Sequence, residues 1–150
     1  MDHADGDHVD HDLGGPGDVV RRWVHDLKNA HDPEAAPEIV SPDFTNYTPA
    51  PTALFREGEN LFAVMRTALP DLHVEIEDQV VEGDRARGKV ATRQTFSGTF
   101  TGTFRGRPGT GRRVEWNVID IVTVVDGRIT DHWAVADNLP LLAALTEEQP

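Results

Sequence analysis

The chain has 150 residues, 38% of them apolar, with a formal net charge of −12 and no cysteine. That length suits one domain with its own core. The acidic balance argues against nucleic acid as a partner, and the lack of cysteine removes disulfides, thiol nucleophiles and thiolate–metal sites.

Residues 1–18, MDHADGDHVDHDLGGPGD, hold six Asp, three His and no basic residue. Such an acidic run of low hydropathy predicts a disordered tail, leaving residues 19–150 as a single domain of formal charge −6. His3, His8 and His11 alternate with aspartates and could hold a divalent metal loosely, but a solvated tail is the simpler expectation. The run has neither the basic start nor the apolar centre of an export signal, and no later stretch is apolar for long enough to span a bilayer. A cytoplasmic protein without membrane contact is the expectation.

Asp18 is a candidate N-cap for a helix with Val19, Val20, Trp23, Val24 and Leu27 on one stripe, ending near Ala30. Asp32-Pro33 starts a short second helix through Val40, and Ser41-Pro42 stops it. Phe44 to Pro51, FTNYTPAP, reads as irregular or as a short strand. A third helix is predicted from Glu57 to Leu69, closed by Pro70-Asp71.

The rest is β-rich. Leu72, Val74 and Ile76 alternate with His73, Glu75 and Glu77, and Glu82-Gly83-Asp84 turns the chain. Arg85, Arg87, Lys89 and Arg93 follow on one face, suggesting outer cross-strand ion pairs with Glu75 and Glu77. Phe96, Phe100 and Phe104 recur with Gly98 and Gly102 between them, which predicts a bulge or bend. After the loop 106–112, the segment from Val114 to Asp137 reads as two strands joined by an Asp126-Gly127 turn. Leu139-Pro140 opens a last short helix.

Along the first strand of that hairpin, alternation puts Val114, Trp116, Val118, Asp120, Val122 and Val124 on one face. A carboxyl in such company must find a hydrogen-bonding partner or keep its proton. Either state suits proton transfer, so Asp120 is the leading catalytic candidate, against a purely structural ion pair. On the returning strand either His132 or Trp133 faces inward, and a His beside a carboxylate can shuttle a proton. Tyr47 could hold a substrate oxygen, Asp137 could act on substrate or cap the last helix, and Trp23, Trp116 and the Phe side chains are core or substrate walls.

Helices first and a meandering sheet afterwards make an α+β layout. The expected fold is a cone-shaped, curved antiparallel sheet packed with N-terminal helices around a deep pocket, the usual place for a ligand.

The motifs SPDFTNYTP, SGTFTGTFRGRPGTGRRVEW and VDGRITDHWAVADNLPLLAAL, within 19–145, resemble the SnoaL-like polyketide cyclase family of the nuclear-transport-factor-2-like superfamily. The resemblance implies a homodimer, no metal or organic cofactor, and an apolar pocket for a hydrophobic polyketide-like substrate. It implies an intramolecular aldol closure in which a carboxylate removes a proton α to a carbonyl. By the same resemblance Asn46 is a pocket residue, and Asp120 stands where the cyclases have a histidine. The cyclases' acid–base aspartate falls on Ala134 here, a departure from the family pattern.

The resulting expectation is a cofactor-independent cyclase or isomerase with Asp120, His132 and Asn46 as catalytic residues. Tyr47, Trp116, Trp133, Phe96 and Asp137 are the expected substrate contacts. Epoxide opening, hydroxylation, and a non-catalytic ligand-binding or dimerising domain remain the alternatives.

Overall fold

A computed structural model describes residues 14–48, 54–56 and 59–147. The His/Asp-rich run of residues 1–13, the end of FTNYTPAP at 49–51, and Glu57 lie outside the described residues.

The first helix, α1, spans Pro16–Arg22 and begins earlier than an Asp18 cap would place it. Proline's fixed φ suits a first helical turn. Asp18 lies inside that turn, accepting from the Gly14 amide at 3.3 Å and pairing with Arg21 at 3.6 Å. The helix continues as a π-helical stretch, Trp23–Asn29, in which the Ala30 amide donates to the His25 carbonyl at 2.9 Å. Asp32 caps a 3-10 turn, Pro33–Ala35, by accepting from the Glu34 amide, and α2 (Ala36–Ile39) follows.

Ser41 and Pro42 do not merely end a helix: they already belong to strand β1, Val40–Asn46. β1 is an edge strand whose one partner among the described residues is the later strand Arg128–Ala136, and a proline is tolerated at such an edge. Helix α3 covers Leu61–Ala68, shorter than the expected Glu57–Leu69, because Asn60 is its cap and accepts from the Ala63 amide at 3.1 Å.

The sheet adds β2 (His73–Gly83), β3 (Arg87–Thr99), β6 (Arg113–Val125) and β7 (Arg128–Ala136) in the order β1-β7-β6-β3-β2. All neighbours are antiparallel except β1 and β7. A two-stranded ribbon of β4 (Thr103–Phe104) and β5 (Arg107–Pro108) precedes β6, and α4 (Leu139–Thr146) closes the chain. Irregularities at Ile76/Asp78 and Thr123/Val124 bend the strands, giving a curved sheet with helices on its concave face. The Asp126-Gly127 turn has φ of 49° and 79°, the left-handed pair that a two-residue hairpin favours.

The first irregularity also moves the charged pairs. Arg93 stands opposite Asp78 and Lys89 opposite Glu82, while Glu75 faces Thr95 and bonds to His73 at 3.0 Å. Arg85 lies outside the strands and donates to the Gly14 carbonyl at 2.7 Å. The expected pairing of these arginines with Glu75 and Glu77 is therefore not the one adopted. Gly102 serves a close approach: a Cβ there would lie 1.9 Å from the Thr67 carbonyl oxygen of α3.

Two apolar clusters fill the concave side. One gathers Phe96, Phe100, Trp116, Val118, Leu69 and Leu141, and the other Val19, Val20, Val90, Val122, Val124 and Ile129. Along β3 and β6 the residues between the clusters are polar and fully buried: Thr92, Gln94 and Asp120. Among the described residues no helix is long and apolar enough to cross a membrane.

Candidate active site

Strand alternation carries Asp120 to the concave face between Val118 and Val122, with 1% of its surface exposed. Its register partner on β7 is Ala134, and His132 lies opposite Val122, on the same face. His132 therefore points inward and Trp133 outward. His132 Nε2 comes within 3.3 Å of Asp120 Oδ2, and Nδ1 lies 3.0 Å from Asn46 Oδ1. Asn46 reaches this position because β1 runs parallel to β7, with Asn46 and His132 in register. Asp120, His132 and Asn46 thus form one chain of contacts from the buried centre to the exposed sheet edge.

A fourth group was not expected from the sequence. Lys28, on the π-helical stretch, is buried on the inner side, with Nζ 3.9 Å from Asp120 Oδ2. It donates to Gln94 Oε1 at 3.1 Å and sits 4.1 Å from the centre of the Trp23 ring, a cation–π distance. Burial lowers its pKa from 10.5 to about 8, against the upward pull of Asp120. Trp23 also packs edge-on against His132, with ring centres 5.3 Å apart. Sequence spacing held a signal for both new members. Val20, Val24 and Lys28 recur at intervals of four on the helix, and Val90, Thr92, Gln94 and Phe96 alternate along β3.

The cluster leaves two buried polar atoms without a hydrogen-bond partner among the described residues: Asp120 Oδ1 and Gln94 Nε2. Buried polar atoms are ordinarily paired, so one free acceptor and one free donor in the same cluster single it out as the candidate site. Asp120 Oδ2 meets His132 and Lys28, while Oδ1 has no partner among the described residues. Among the described residues no group of three or more His, Cys, Asp or Glu side chains is arranged to hold a metal ion.

The other expected site residues divide. Trp116 and Phe96 face each other on the inner side, 5.4 Å between ring centres, as apolar walls close to Asp120 and Gln94. Tyr47 and Trp133 stack on each other 4.7 Å apart, both exposed, and Trp133 points away from Asp120. Tyr47 donates its hydroxyl to Asp131 at 3.1 Å, which commits it to that side. Asp137, one residue before the N-cap Asn138, accepts from the Leu139 amide at 3.4 Å at the start of α4, and is not placed beside Asp120.

Comparison with known proteins bears on the family and the fold. A family model for the SnoaL-like polyketide cyclase matches residues 18–145. The chain belongs to the SnoaL-like polyketide cyclase family. This SnoaL-like chain is 30% identical over 142 residues to the aklanonic acid methyl ester cyclase DnrD of Streptomyces peucetius, covering 89% of this chain and 92% of that protein. Among solved structures it is similar to IdmH of Streptomyces antibioticus, a proposed polyketide cyclase, with TM-score 0.71 and 30% identity over 86% of this chain and 96% of that one. It is also similar to AclR of Streptomyces galilaeus, a proposed hydroxylase, with TM-score 0.68 and 29% identity over 85% of this chain and 92% of that one.

Proposed function

We propose that the chain is a cofactor-independent enzyme of cyclase or isomerase type, acting on a hydrophobic polyketide-like molecule with Asp120 as its acid–base group. The observation that carries this reading is the division of labour within one carboxylate. Oδ2 is held by His132 and Lys28, while Oδ1 is buried and has no partner among the described residues.

In the reaction, Oδ1 takes a proton from the carbon α to a substrate carbonyl, and the C–H electron pair passes into an enolate. The enolate carbon bonds to a second carbonyl carbon of the same molecule, and the resulting alkoxide recovers the proton from Asp120. The product is a cyclic β-hydroxy ketone and the carboxylate is regenerated. His132, anchored by Asn46, orients the carboxylate from the exposed side. The resemblance places the cyclases' aspartate at Ala134, and Ala134 is the register partner of Asp120. On this reading the carboxylate is supplied from the neighbouring strand of the same inner face.

Aklanonic acid methyl ester, the compound in DnrD's name, is the first substrate to try. Asp120→Asn should lower turnover by about 10²–10⁴, the usual range for losing a general base. Turnover equal to the parent's would remove Asp120 from the mechanism. The likeness to AclR favours hydroxylation as the second reading, and dioxygen consumption with an added reductase would distinguish it.

The outer face supports a second copy of this chain as partner. Ile119, Ile121, Trp133 and Val135 are exposed on β6 and β7, and their register places them side by side. Val80 continues the row across Ala91 to Ile121, and Tyr47 stacks at its other end. An exposed apolar face of this kind marks a contact surface, and a second copy would cover it with the same row.

A further inference from the structure

We propose that Gln94 Nε2 is the donor that holds the substrate's carbonyl oxygen as it becomes an enolate, and that Lys28 is the residue that fixes Gln94 in this role. The inference rests on the acid–base reading of Asp120 and deepens it by assigning the oxygen-binding half of the site.

An ammonium has three donors and no acceptor, so the atom of Gln94 that faces Lys28 Nζ at 3.1 Å has to be Oε1. That contact removes the usual ambiguity of a glutamine amide and leaves Nε2 as the end that is free. Nε2 is fully buried and unpartnered among the described residues, and Gln94 itself has 0% of its surface exposed. Leaving a buried amide donor unpaired is costly, and a bound oxygen would offset that cost. Gln94 lies on β3 diagonal to Asp120, whose own register partner is Thr92 on the same strand. The free donor and the free carboxylate oxygen thus belong to adjacent strands of one inner face, one able to bind an oxygen and the other to take a proton. An enolisable ketone needs that pair of functions.

Lys28 contributes in two ways. Its charge favours the negative charge that develops on the substrate oxygen, and its contact with Oε1 keeps the amide from turning. The groups facing it are Asp120 from β6, with His132 behind that carboxylate, and the rings of Trp23, Phe62 and Phe96. Arg66 of α3 donates to its backbone carbonyl. Loss of the ammonium proton above about pH 8 would let the amide reverse, since a neutral amine can also accept.

The test uses 2-naphthol, whose naphtholate imitates an enolate oxygen, together with deuterium uptake by an enolisable polycyclic ketone. Gln94→Glu keeps an oxygen facing Lys28 but replaces the free donor by an acceptor. It should lower exchange by about a hundredfold, the scale for losing one oxyanion donor, and abolish naphthol binding. Lys28→Met should weaken naphthol binding as well, and Lys28→Arg, with donors still facing Oε1, should restore much of it. Asp120→Asn should lose exchange yet keep naphthol binding, which separates the two halves of the site. A parent that binds no naphthol, or Gln94→Glu and a folded Gln94→Met that both bind it as tightly as the parent, would overturn the assignment. Exchange at the parental rate in Asp120→Asn would instead overturn the reading beneath it.

Discussion

Lys28 places a charge in buried surroundings, and the cost should be visible as a function of pH. Its pKa is about 8 in the folded chain against 10.5 for an ordinary lysine. Below pH 8 the group is protonated in both states, and above 10.5 in neither. Between these values the unfolded chain binds more protons, so this lysine's contribution to stability rises with pH across that window. The full shift corresponds to at most about 3 kcal/mol. Denaturant titrations from pH 7.5 to 10.5 should show the rise in the parent and its absence in Lys28→Met. Asp120 was legible from strand alternation alone, because one carboxylate among valines and a tryptophan must find a partner or keep its proton. Lys28 was not, because a lysine near a helix end normally reaches solvent, and only its fourfold spacing from Val20 and Val24 hinted otherwise.

The element that positions Lys28 is the π-helical stretch, a feature that recurs at functional sites. Its last residue, Asn29, binds the backbone of β2 twice: Nδ2 donates to the Val74 carbonyl at 2.9 Å, and Oδ1 accepts from the Val74 amide at 2.8 Å. A side chain thereby stands in for a neighbouring strand at the sheet edge. Asn29→Ala should cost about 1–3 kcal/mol by leaving part-buried backbone groups unpaired, read from the denaturant midpoint. Gly102→Ala should cost a similar amount, since its Cβ would collide with the Thr67 carbonyl and force α3 away from the ribbon. The hairpin at Asp126-Gly127 was readable because its signal is local. Strand β1 was hidden for the opposite reason: its partner β7 lies more than eighty residues further on, and Pro42 resembles a helix stop rather than part of an edge strand. The start of α3 was misplaced because Asn60, its cap, is followed by a helix without the polar first turn that usually marks one.

At the scale of the molecule, the sheet separates two surfaces of different character. Its inner face holds a polar belt between two apolar clusters, and its outer face carries an apolar row across four strands. The α+β layout follows from the order of periodicities in the sequence, but the outer row does not. Trp133 reads equally well as a substrate wall until the register fixes which way it points. If a second copy covers that row, Val135→Glu, at a position 79% exposed, should leave the fold intact and convert dimer to monomer by light scattering. A monomeric parent would reject the partner assignment without touching the inner face.

The most direct trial of the whole account is deuterium exchange at the α-carbon of an enolisable polycyclic ketone, followed by mass spectrometry for the parent and Asp120→Asn. Rapid uptake is expected with the parent and a loss of about 10²–10⁴ in the variant, the two compared at a temperature where both are folded, since the variant also loses a buried partner of Lys28. Equal uptake by the two proteins would contradict it.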